Sequence, residues 1–170
     1  MTQVYHNAYY RQRFLSAGIM TIPLEPGKKS PMNGDSWLYT SPSELWAMAP
    51  SDANLAVKLG QPVKRGHLAA LDGDSPQTAH TLTNYLNSLG VDPATVPQVA
   101  TPSKSGRHFY IATNAPDWYT WGHLAPDVGT GELRVNHCYT VAAVSVVTAG
   151  LYQFVNGDPG ALEFAPFIAW

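Results

Sequence analysis

Apolar positions along the first half of the chain alternate between helical and strand spacing. In NAYYRQRFLSAG, Tyr10, Phe14 and Ala17 share one helical face, Gly18 is placed to end the helix, and IMTIPL then reads as a strand. SPSELWAMA predicts a short helix in which Ser41 caps, Pro42 takes the first helical position and Glu44 completes a capping box. NLAVKLG reads as a buried strand, Gln61 to Gly66 as a turn, and His67 to Leu71 as a strand that ends at an acidic pair. Ser75-Pro76 restarts a helix with Ala79, Leu82, Leu86 and Leu89 on its apolar face and Gly90 as its stop. Helical periodicity then disappears. VPQVATPSKSGRHFYIAT predicts a hairpin around a Ser/Gly/Lys turn, NAPDWYTWGHLAPDVGTG a loop carrying aromatics, and ELRV, CYTVAAVSVV and LYQFV three further β runs.

Composition narrows the class. At 170 residues and 45% hydrophobic content the chain can bury the core of one compact domain. The formal charge of −2 does not advertise a polyanion partner, so any nucleic-acid contact has to come from a local basic patch. A lone Cys138 excludes a disulfide framework, and His6, His67, His80, His123 and His137 have no zinc-site spacing with it, so no zinc is expected. No signal peptide or membrane-length apolar run is visible, which leads to the expectation of a cytoplasmic protein with no membrane contact. The apolar ending FAPFIAW suggests a domain cut from a longer protein.

The candidate chemistry begins at HLAALDGDSP. In an extended strand Asp72 and Asp74 project to the same face, where they repel unless a cation lies between them; turn chemistry of Asp-Gly and Asp-Ser-Pro is the competing explanation. His108 follows in SKSGRH and Glu132 in GELR. Two divalent ions bridging a triphosphate require carboxylates from different strands, which an Asp-x-Asp pair plus a third acid would supply. A small Gly/Ser turn followed by Arg107 and His108 can bring N–H and cationic groups to the phosphates, and Arg134 shares the face of Glu132 as a bidentate clamp. Asp127 is the fallback for the third acid. Taken singly, His108 also reads as a satisfied strand histidine and Glu132 as a solvated strand residue.

In this order the motifs resemble the bifunctional primase-polymerase (prim-pol) domain of the archaeo-eukaryotic primase superfamily, the kind found in phage and plasmid replication proteins. LSAGIMTIPLEPGKKSP is similar to the family's opening helix, strand and Pro-rich segment, with Lys29 as its lysine; LAALDGDSP, TPSKSGRHFYI and GELRVNHCYTVAAVSVV resemble its three motifs. Two departures stand out: Glu132 where Asp is more usual, and VNHC in place of a Gly-rich turn. The resemblance implies an α+β fold in which an RNA-recognition-like sheet carries the metal site and packs against an N-terminal α/β lobe, residues 1–170 forming a single catalytic domain. It implies a template-dependent nucleotidyltransferase that extends and synthesises primers, with Asp72, Asp74 and Glu132 holding two Mg²⁺ or Mn²⁺ ions. Lys104, Ser105, Gly106, Arg107, His108 and Arg134 would contact the nucleoside triphosphate, and Lys29, Lys58, Trp118 and Trp121 the single-stranded template or primer-template DNA. A helicase domain in the full-length protein is a further expectation. Two other classes compete: a decayed nucleic-acid-binding module of a replication initiator, suggested by the altered third motif, and a metal-dependent glycosyltransferase, which leaves SGRH and GELR unexplained.

Overall fold

The chain folds around two main sheets, mostly antiparallel, that share one apolar layer, with a separate two-stranded ladder beside them; the computed structural model describes residues 3–102, 105–125 and 130–170. Helix α1 (Gln3–Ser16) ends where the periodicity predicts, with Gly18 in the left-handed region at φ +72° and its N–H bonded to the Leu15 carbonyl. Strand β1 (Thr21–Leu24) pairs with β2 (Asn54–Lys58), and β2 with β9 (Tyr139–Val141), to form a three-stranded sheet. Between them α2 (Pro42–Met48) carries both halves of the capping box between Ser41 and Glu44. Phe14, Ile22, Leu24 and Leu55 are all fully buried in this lobe.

The larger sheet is centred on β4 (Gly66–Gly73), flanked by β6 (Arg107–Thr113) and β8 (Thr130–Arg134). Beyond β6 lie β5 (Gln98–Ala100) and β12 (Gln153–Asn156), and beyond β8 lies β7 (Trp121–Ala125). Strand alternation divides the sheet's two faces. Leu71, Phe109 and Leu133 pack against Ala79, Leu82 and Leu86 of helix α3 (Pro76–Ser88), while Ala70, Val99 and Tyr110 join the core of the first lobe. Helix α3 starts in a capping box between Ser75 and Thr78. The architecture is α+β, with mostly antiparallel pairing. No helix among the described residues is long and apolar enough to cross a membrane.

Several expectations need correction. Leu89 is 45% exposed, since the helix has ended and Gly90 turns the chain at φ +74°. The aromatic loop contains β7: WGHLA alternates, with Leu124 packing towards the α3 core, but two apolar side chains separated by Gly and His give too weak a periodic signal. The run CYTVAAVSVV is two strands, β9 and β10 (Val146–Val147), broken at Val144 (φ +73°), whose N–H bonds to the Tyr152 carbonyl. LYQFV likewise divides into β11 (Gly150–Leu151) and β12 around the buried Tyr152. The Gln61 to Gly66 turn holds β3 (Pro62–Val63), and within FAPFIAW the short β13 (Phe167–Ile168) pairs parallel with β6.

Candidate active site

Strand β4 runs two residues past the predicted end, far enough to bring the first acid into the ladder. Asp72 stands opposite His108 of β6 on one side and opposite Glu132 of β8 on the other, so three residues far apart in sequence form one row on one face of the sheet. The next row on that face contains Ala70, Tyr110 and Arg134. Arg134 reaches back along it: its Nε lies 3.2 Å from Asp72 Oδ2 and 3.0 Å from Glu132 Oε2, and its Nη2 lies 2.8 Å from the same Glu132 oxygen. The guanidinium therefore bridges two carboxylates.

A pocket of about 240 Å³ opens at this row, lined by Lys29, Asp72, Asp74, Thr101, His108, Arg134, Tyr139 and Tyr152, among others. Lys29 Nζ sits over the Tyr152 ring, 5.8 Å from its centre, and the same ring is 5.9 Å from that of His108. Burial dominates the titration of the two innermost groups. It pushes the Asp72 carboxyl up to about 6, a shift that Arg134 opposes and that Asp74 and Glu132 increase. It also holds the His108 imidazole down to about 3, with Arg134 lowering it further, so His108 is neutral near pH 7. His108 Nε2 is 3.5 Å from Asp72 Oδ1, a separation too long for a hydrogen bond, and that oxygen is buried without a partner.

The Ser/Gly turn has a steric reason for its glycine. A Cβ on Gly106 would collide with the Gly73 carbonyl and the Asp74 backbone, so only glycine lets this turn lie against the Asp-x-Asp segment. On the far side, Trp121 stands opposite Arg134 and His123 opposite Glu132. Trp121, Glu132, Arg134 and Cys138 line an adjoining hollow of about 230 Å³.

The family described as bifunctional DNA primase/polymerase, N-terminal (Prim-Pol), matches residues 11–170. The chain belongs to the Prim-Pol family. No curated protein matches it. Prim-Pol membership implies DNA primase/polymerase activity, with nucleotides and DNA as the implied substrates.

Of the site residues expected of a Prim-Pol domain, Asp72, Asp74, His108 and Arg134 converge on one pocket, and Lys29, expected on the DNA, lies there too. Glu132 is in register with them but faces the adjoining hollow, held by Arg134. Gly106 supports the pocket from behind. Ser105 and Arg107 do not share it; they line a separate groove on the α3 side of the sheet. Trp121 is half-exposed beside Arg134, whereas Trp118 is 76% exposed and touches Tyr119 edge-on. Lys58 ends β2 opposite Tyr139 and lines none of these pockets. Lys104 and Asp127 lie outside the described residues. Thr101, Tyr139 and Tyr152 line the pocket without any sequence signal, because in the strand-like runs around them they read as core or edge residues.

Among the described residues no three His, Cys, Asp or Glu side chains are grouped to hold a metal. Asp72 and Asp74 nevertheless face one pocket, and the unpartnered Asp72 oxygen suits an oxygen-preferring cation that keeps water or phosphate ligands. The pair fits Mg²⁺ or Mn²⁺. Glu132 turns its Oε2 to Arg134, which competes with any such ion for that oxygen.

Proposed function

We propose that this Prim-Pol domain is a template-dependent nucleotidyltransferase that adds nucleotides to a primer from the pocket at the Asp72–His108–Glu132 row. The observation that carries the reading is the register: an acid, a histidine and a second acid from three strands, with a second aspartate and two cations at the same pocket. A triphosphate needs positive charge and hydrogen-bond donors around its phosphates. Lys29 and Arg134 provide the charge, and neutral His108 can donate from a ring nitrogen. Asp72 and Asp74 would hold Mg²⁺ or Mn²⁺, with Glu132 completing a two-ion site; when bound, the ions neutralise phosphate charge and favour an ionised 3′-hydroxyl. On this reading the sheet centred on β4, with α3 behind it and the β1–β2–β9 lobe in front, is the RNA-recognition-like core of a primase. The setting is replication of phage or plasmid DNA in a host cytoplasm, alongside a helicase activity.

Arg134 is central to how the site would load. It compensates two carboxylates in the absence of substrate, and a triphosphate offers the same guanidinium a bidentate partner. Transfer of Arg134 to phosphate oxygens frees Asp72 and Glu132 together. The same bridge favours the second reading, a decayed module in which Arg134 permanently replaces the metal. Primer extension with Mg²⁺ and with Mn²⁺ separates the two. Incorporation that disappears in Asp74→Asn supports the polymerase, and no incorporation by the wild type with either ion, despite DNA binding, supports the decayed module.

A further inference from the structure

A groove of about 560 Å³ lies on the reverse face of the same hairpin. Alternation along β6 puts it there: His108 and Tyr110 face the acid pocket and the first lobe, so Arg107 and Phe109 face α3. His80 and Thr83 of α3, Gln98 of β5, and Ser105 and Arg107 at the start of β6 supply its polar lining. None of the lining residues is acidic, and the first turn of α3 contains no acid either. Asp92, next to the lining residue Pro93, uses its Oδ1 to accept the Ala94 N–H. Within this groove Arg107 Nη1 is buried and has no hydrogen-bond partner. A buried guanidinium nitrogen without an acceptor from the protein is costly, so an anion seated in the groove would gain a ready donor there.

The charge count indicates which anion. The acid pocket sets two cations, Lys29 and Arg134, against a triphosphate, whereas among the described residues the groove is lined by one Lys or Arg side chain, Arg107, together with an imidazole and hydroxyl groups. One charge suits a phosphodiester, which has one negative charge. The groove is open to solvent, as a strand passing through requires, and Gly106, between Ser105 and Arg107, packs on the Asp74 backbone, so pocket and groove lie on opposite sides of one turn. We propose that this groove binds a backbone phosphodiester of the DNA, with Arg107 as its charge and His80 and Ser105 as supporting donors. The inference rests on the polymerase reading for the identity of the polyanion, and it removes Arg107 from the triphosphate contacts.

Anisotropy of labelled single-stranded and primer-template DNA, measured across a salt series, tests it. Arg107→Gln should weaken DNA binding about tenfold whatever the sequence and reduce the slope of log affinity against log salt by about one. Affinity for a labelled nucleoside triphosphate should stay within about twofold of wild type, and Arg107→Lys, which keeps the charge, should retain the wild-type salt slope. Loss on one DNA form alone identifies the strand that occupies the groove. Unchanged DNA affinity and slope in a folded Arg107→Gln protein overturn the proposal, as does an equal loss of triphosphate affinity, which returns Arg107 to the nucleotide. A wild type that binds DNA through Arg107 but never extends a primer refutes the polymerase reading and leaves the phosphodiester site standing.

Discussion

Asp72 is a residue whose fold and function oppose each other. Its carboxyl is raised by burial to about 6, above the usual value near 4, so the folded state holds it ionised at neutral pH against its own preference. A raised acid loses stability as pH climbs through 4 to 6. Asp72→Asn should therefore raise the melting temperature at pH 7.5, by up to about 3 kcal/mol of stability, and the advantage should vanish below about pH 4. The same variant should lose nucleotide incorporation by about two orders of magnitude or more. His108 behaves in the opposite sense. Its folded value near 3 lies below the ordinary 6.5, so the unfolded chain takes up a proton that the folded one refuses, and stability drains away as pH falls from about 6.5 towards 3. Between pH 6 and 4 the two groups offset one another. Melting curves over that range should show Asp72→Asn becoming more acid-sensitive than wild type and His108→Gln less so; parallel curves for all three proteins would refute the buried assignments. Arg134 gives a separate test. Arg134→Gln should bind Mn²⁺ more tightly than wild type without nucleotide, because the competing cation is gone, while its triphosphate affinity falls. Electron paramagnetic resonance of free Mn²⁺ reads the first effect and a labelled nucleotide the second; Mn²⁺ affinity unchanged by the substitution would mean that Arg134 does not guard the acids.

At the scale of elements, the site depends on how closely a turn can approach a strand. Gly106→Ala should destabilise the protein by about 2 kcal/mol or more, since the clash is with the backbone of residues 73 and 74 rather than with a side chain that can rotate away. It should also weaken triphosphate binding, because the acids and the turn part together; a variant as stable as wild type would show that the turn is not pressed against β4. Elements like this one differ in how far the sequence discloses them. The Ser41–Glu44 capping box, the helix start at Ser75-Pro76 and the stops at Gly18 and Gly90 are local chemistry, legible from residues within a few positions of each other, whereas the second capping box, with Thr78 in place of an acid, is not. The acids and His108 are legible as motifs, but their alignment is not, because register is decided by pairing across β4, β6 and β8. Tyr152 is invisible as a pocket residue for a similar reason: the break at Val144 that separates β9 from β10, with its N–H on the Tyr152 carbonyl, is a backbone conformation no side-chain pattern announces. Arg107 and His108 are adjacent in sequence, and the motif assigns both to the triphosphate, yet one residue of strand places them on opposite faces.

For the whole molecule, the distribution of charge sets what the domain can do unaided. The chain has 10 Lys and Arg against 12 Asp and Glu. Of the cations, Lys29 and Arg134 are committed to the acid pocket and Arg107 lies in the groove behind it, leaving little long-range attraction for a polyanion. Primer extension tolerates this, because the duplex already positions the 3′ end and only one free nucleotide has to be captured. Starting a primer demands that two free nucleotides be ordered on a single strand, and each loses translational and rotational freedom that few contacts here offset. Residues 1–170 should therefore extend a primer with Mg²⁺ or Mn²⁺, lose that activity as salt rises, and make dinucleotides weakly or not at all. Running both reactions on one preparation over a salt series decides the matter. Efficient unprimed synthesis would show that two cations at the pocket and one in the groove hold the initiating nucleotides without a duplex, and extension insensitive to salt would show that the DNA is gripped by apolar stacking, with Trp121 beside Arg134 the first residue to replace.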